Sequence, residues 1–173
     1  VPYTWETELS AGKDKKEVFT SLLSENKLGA LALLRNIRNM MQSDVGLDLI
    51  SDGISKMNSN GIMPYNFYTA NKFSDGIFRK DLQDKMESAL KDMDKLPGLT
   101  LFMIDTSGSM SDSTDNSKLT NAEKAASLAI MVDSLCKFSS IYTFNTEAFE
   151  QKSRGFELAD VCANTSGGTK VIH

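Results

Sequence analysis

LTLFMIDTSGSM, residues 99–110, is the stretch on which the fold turns. Leu99 to Ile104 is a short, nearly continuous apolar run, the pattern of a strand buried on both faces of a parallel sheet. Asp105 follows at the carboxyl end of that strand, where open α/β sheets place their ligands. The D-x-S-x-S spacing turns one carboxylate and the hydroxyls of Ser107 and Ser109 toward a single point, and Gly108 lets the loop turn tightly between them. An all-oxygen set with one charge suits a hard divalent cation, Mg²⁺ first and Mn²⁺ or Ca²⁺ next. Such a cation is underneutralised, so it keeps waters or recruits a carboxylate from an acidic partner. The plainer alternative is a Ser/Gly-rich loop with an N-capping Asp.

Downstream, a polar loop runs to Lys118. A helix is expected from Leu119 to Lys137, with Ala125, Leu128, Ala129, Val132 and Leu135 facing the sheet. Ser140 to Phe144 reads as a second strand, Ala148 to Gln151 as a short third one, and Glu157 to Ala163 as a helix. Strand, loop, long helix and strand make a βαβ unit, hence an α/β domain. Ser166-Gly167-Gly168-Thr169 adds a further hydroxyl on a glycine-rich turn.

Upstream, Leu96-Pro97-Gly98 reads as a boundary, because Pro and Gly together halt a helix. The preceding residues read as successive short helices. Asp14 with Glu17 resembles a capping box opening a helix through Val18, Phe19, Leu22 and Leu23. Leu28 to Met41 carries Leu31, Leu34, Ile37, Met40 and Met41 on one stripe, and Val45 to Met57 repeats the pattern. Pro64 opens the next helix, with Phe67, Tyr68 and Phe73. A longer helix is expected over 77–93, with Leu82, Met86, Leu90 and Met93 on its apolar face. Consecutive short helices suggest a solenoid or a bundle, although no repeat of fixed period is visible.

Composition narrows the function. The net charge is −4, and 40% of the residues are hydrophobic, as in ordinary globular chains. Residues 1–98 carry 13 basic and 14 acidic side chains, and 99–173 carry 6 and 9, so RNA binding would need a local patch rather than a basic field. Lys13, Lys15 and Lys16 cluster at a helix start, and Arg35 and Arg38 share a helix face; either group reads equally as solvated surface. Tyr3 and Trp5 could stack on bases, or simply pack. The lone histidine, His173, leaves little room for a histidine base. Cys136 and Cys162 fall in helical patterns without metal-type spacing and read as reduced, buried thiols of a cytoplasmic protein. No run of 18 apolar residues occurs, so no membrane span is expected.

LFMIDTSGSM at 101–110, with SGGT at 166–169, resembles the ion site of a von Willebrand factor A domain. The resemblance implies Asp105, Ser107, Ser109 and Thr169 as ligands of a metal-ion-dependent adhesion site, with Mg²⁺ as the expected ion. A third-loop Asp would be expected beyond His173, and Lys170 stands where the family often has an acidic residue. KEVFTSLLSENKLGALALLRNIRNM at 16–40 and IMPYNFYTA at 62–70 resemble the end of a TROVE domain, the helical-repeat ring of the Ro ribonucleoprotein family. In that family the ring is followed directly by an A-type domain.

The resulting expectation is an α-helical repeat (HEAT-like) segment at 1–96, joined to an α/β von Willebrand factor A (Rossmann-like) domain at 99–173. The second domain is expected to be incomplete at its carboxyl end, and the chain to be a fragment. The resemblance implies an RNA-binding protein of small noncoding ribonucleoproteins, with structured or misfolded noncoding RNA as partner. Lys15, Lys16, Arg35 and Arg38 are the candidate RNA contacts. A metal-dependent module binding an acidic protein ligand, with no RNA role, is the alternative. An enzyme is not expected: Asp105-Thr106-Ser107-Gly108 departs by one residue from the D-T-G loop of aspartic proteases, and the long helix after it conflicts with their all-β fold.

Overall fold

The computed structural model describes residues 5–91, 94–113 and 118–165. Six helices come first: α1 (Trp5–Ser10), α2 (Lys15–Ser24), α3 (Ala30–Gln42), α4 (Leu47–Lys56), α5 (Pro64–Phe73) and α6 (Arg79–Lys91). A mixed three-stranded sheet and two helices follow: β1 (Leu96–Asp105), a 3-10 turn (Gly108–Ser111), α7 (Asn121–Ser134), β2 (Cys136–Phe144), β3 (Ala148–Gln151) and α8 (Gly155–Thr165). Two compact units result. One takes residues up to Ile62 and Ala70–Ala89, the other Met63–Thr69 and the residues from Leu90 on, so the division falls within α5.

In the helical unit, Asp14 caps α2 by accepting the Glu17 N–H at 3.0 Å, satisfying one of the donors a helix start leaves open. Phe19, Ile37, Met40, Ile50, Ile54 and Leu82 are fully buried and form its core. Gly53 allows α4 to lie close to α2: a Cβ there would sit 2.7 Å from a methyl of Leu23. The apolar stripe of α3 differs from the expected one. Leu33 is 1% exposed and Leu31 is 36% exposed. The reason is helical phase, since Leu31 lies one turn before Arg35 and shares its solvent-facing side.

In the second unit, β1 pairs in parallel with β2, from Leu99 opposite Phe138 to Asp105 opposite Phe144, and β3 returns antiparallel on β2. Thr120 and Glu123 form a reciprocal capping box that starts α7 at Asn121. The helix ends at Ser134, short of Lys137, so Cys136 lies on β2 rather than in a helix. Both cysteines are free and buried. Pro97 and Gly98 fall inside β1, where they make an irregularity: the register shifts between Leu96 and Leu99, and Gly98 takes φ +86°.

β1 is not covered on both faces by the described residues. Ile104 is 4% exposed, whereas Leu99, Leu101 and Met103 are 74%, 59% and 55% exposed, with Phe138 beside Leu99 at 60%. α7 covers one face only, burying Ala122, Ala126, Ala129 and Ile130. Leu128, expected on the sheet, is 55% exposed. It borders an open apolar groove of about 400 Å³ between β1 and α7, lined by Phe102, Ile104, Met110 and Val132. No helix among the described residues is long and apolar enough to cross a membrane.

Candidate cation site and basic surface

Asp105 ends β1 half-buried, and its Oδ1 accepts the N–H of Ser107 at 2.8 Å. That local turn holds one carboxylate oxygen against the backbone and fixes the plane of the group. Thr106 turns inward instead: its N–H and its hydroxyl donate to the Phe144 carbonyl at 2.8 and 3.1 Å, pinning the loop to β2. The chain then tightens into the 3-10 turn, where Met110 N–H donates to Ser107 O at 2.9 Å and the Ser111 hydroxyl donates to Gly108 O. Its effect is to bring Ser107 Oγ and Ser109 Oγ within 3.4 Å of each other.

The donor chemistry fits a hard cation. Adjacent oxygens on an octahedral ion are about 2.9 Å apart for Mg²⁺ and about 3.3–3.7 Å apart for Ca²⁺, given their usual metal–oxygen distances. Two serine hydroxyls at 3.4 Å therefore stand at the spacing of neighbouring ligands on Ca²⁺ and would have to close by about 0.5 Å for Mg²⁺. The set holds one carboxylate, and no group of three or more His, Cys, Asp or Glu able to hold a metal occurs among the described residues. Thr169, the fourth residue implied by resemblance, lies outside the described residues.

Behind the loop sits a cluster that the sequence did not reveal. The Asn121 N–H donates to Asp112 O at 2.9 Å, joining the end of the 3-10 turn to the start of α7. One turn on, Glu123 is fully buried and its Oε2 accepts the Thr120 N–H at 2.8 Å. Its Oε1 lies 3.2 Å from the Tyr68 hydroxyl, whose single proton is directed at Asp160 of α8, 2.7 Å away, and at most shared with Glu123. The Tyr68 ring meets Phe156 edge-on, with centroids 5.4 Å apart. Burial, followed by the bond to Asp160 and the charges of both carboxylates, pushes the phenol far above its ordinary pKa. Burial and the Glu123 charge push the Cys162 thiol up to about 11.

The four basic residues are all exposed. Lys15 and Lys16 occupy the first turn of α2, and Arg35 and Arg38 lie three residues apart on the outer side of α3. None of the four is ion-paired among the described residues, whereas neighbouring Lys13 pairs with Glu8. Trp5 packs on Phe19, with ring centroids 6.4 Å apart, so it serves the core. No curated protein matches the chain. Residues 1–48 match the TROVE domain family, a stretch that takes in α1, α2, α3 and all four of these cations, and this supports a TROVE/Ro relationship for that part of the chain.

Proposed function

We propose that the chain is part of a Ro-like RNA-binding protein, with a binding rather than a catalytic role, in which α2 and α3 contribute phosphate contacts. The observation that carries the reading is the TROVE match over 1–48. Charge placement supports it. Cations in the first turn of a helix are disfavoured by its dipole, so Lys15 and Lys16 do not serve α2 itself. Arg35 and Arg38 are free of carboxylate partners among the described residues, which leaves their planar forks open to phosphate. The partner class is structured or misfolded noncoding RNA, and two free thiols suit a reducing compartment such as the cytoplasm. Ultraviolet cross-linking to a structured RNA tests this: adducts are expected within residues 13–42, and adducts confined to residues beyond 94 would overturn it.

The second unit we read as a von Willebrand factor A-like module on which Asp105, Ser107, Ser109 and Thr169 hold a divalent cation; the family resemblance implies Mg²⁺, and the hydroxyl spacing also suits Ca²⁺. A HEAT-like repeat is the matching reading of the helical unit. The 3.4 Å approach of the two serine hydroxyls next to a strand-end carboxylate is the observation in its favour. When bound, the ion would supply an electrophilic point able to take a carboxylate from an acidic protein ligand. A module of this kind without an RNA role remains the alternative, favoured if cation binding is found and RNA binding is not.

A further inference from the structure

We propose that Tyr68 is a positioning residue for the loop Asp105–Ser111, acting through the amino end of α7. The path begins at one phenol proton shared between two carboxylates, Asp160 at 2.7 Å and Glu123 at 3.2 Å, and continues through hydrogen bonds. Tyr68 reaches Glu123 Oε1 at 3.2 Å, and the other oxygen of the same carboxylate holds the Thr120 N–H at 2.8 Å. Thr120 Oγ1 in return accepts the Glu123 N–H at 3.2 Å. The next residue, Asn121, donates to Asp112 O at 2.9 Å, and the turn that Asp112 closes carries Ser107 and Ser109. Glu123 is therefore more than a cap. It is the joint at which the first turn of α7, and with it the end of the loop, is aimed.

Two features make Tyr68 the element that sets this joint. A buried carboxylate is oriented largely by its polar contacts, and the shared Tyr68 proton is one of those that Glu123 Oε1 has. The phenol is itself held from the far side, by Asp160 at 2.7 Å and by the Phe156 ring. Tyr68 thus ties α7 to α8 at the level of the loop anchor, although it lies 55 residues before Glu123 and belongs to the segment Met63–Thr69. The inference deepens the cation reading by saying what holds its ligands in place. Its test does not depend on a cation.

The experiment is amide hydrogen exchange on the 173-residue chain without added metal, comparing wild type with Tyr68→Phe and with Ile141→Val as a sheet-core control. Phe keeps the ring against Phe156 and removes only the hydroxyl. The hydrogen-bonded amides of Ser107, Met110 and Asn121 are expected to exchange faster in Tyr68→Phe by about 5-fold or more, in excess of any change common to all protected amides. Ile141→Val is expected to raise exchange across the unit without singling out these three. Unchanged exchange at the loop, or the same pattern in both variants, overturns the proposal. If Tyr68→Phe does not fold, Glu123→Gln read in the same way decides it. A parallel Mn²⁺ titration of wild type reports on the cation reading alone: absence of binding removes that reading and leaves the exchange result to stand.

Discussion

Leu101→Lys should separate association from folding in this chain. Leu101 is 59% exposed at the middle of a row formed by Leu99, Leu101 and Met103 on β1, with Phe138 alongside on β2 at 60% exposure. Four such side chains present an apolar patch on the order of 400–500 Å², the size at which exposed patches on soluble proteins mark contact surfaces. The 173-residue chain is therefore expected to self-associate through this face at tens of micromolar. Covering a side chain of this size contributes about 1.5–3 kcal/mol, so completing the burial of Leu101 is worth roughly 1–2 kcal/mol per copy. Because a two-fold contact uses the residue twice, Leu101→Lys should weaken the dimer by about 2–4 kcal/mol, or roughly 30- to 700-fold. The isolated chain should barely notice, since exposed substitutions usually change stability by less than about 0.5 kcal/mol. Sedimentation velocity over 5–100 µM, paired with urea melts at low concentration, reads both quantities. A wild type that stays monomeric throughout, or a variant that loses stability without losing association, would refute the reasoning.

Three further outcomes are expected. Asp105→Ala should abolish Mg²⁺ or Mn²⁺ uptake measured by titration calorimetry, because it removes the only charged oxygen of the Asp105, Ser107 and Ser109 set; equal heats from the two proteins would defeat that assignment. Thr120→Ala deletes the acceptor of the Glu123 N–H and should lower urea stability by about 1 kcal/mol, whereas an unchanged midpoint would mean that the capping box contributes nothing. Stability should fall as pH rises from about 9 toward 11: the Cys162 thiol is held protonated up to about 11 in the fold, so the unfolded chain releases its proton first. Tyr68, raised in the same sense from an ordinary value of about 10, adds to this loss from about pH 10 upward. Cys162→Ala should flatten the first part of that limb in pH-dependent denaturation, and an identical limb would contradict the burial assigned to the thiol.

Local chemistry was legible in the sequence, and distant contact was not. The Asp105 loop could be read because a strand end, a D-x-S-x-S spacing and a glycine are all local signals. The parallel pairing of β1 with β2 followed from the helix between them. The start of α7 was placed two residues too early, at Leu119 instead of Asn121, because the capping box of Thr120 and Glu123 went unread. Leu31 and Leu128 were misplaced because apolar periodicity gives a stripe but not its phase against neighbours. Pro97-Gly98 was read as a helix stop, and the same two residues also serve as an irregularity near the start of a strand. Tyr68 was read only as an apolar position. Its partner Asp160 lies 92 residues away, and no spacing rule reaches that far.

The salt dependence of RNA binding bears most directly on the proposed role. If Lys15, Lys16, Arg35 and Arg38 each neutralise a phosphate, the affinity of the chain for a structured RNA should be weak, and its logarithm should fall against log salt with a slope of about −3. Arg35→Ala with Arg38→Ala should halve that slope while leaving the α2 and α3 helices intact, because both side chains are exposed. A slope near zero, or one that the double variant leaves unchanged, would contradict an RNA-binding surface on α2 and α3.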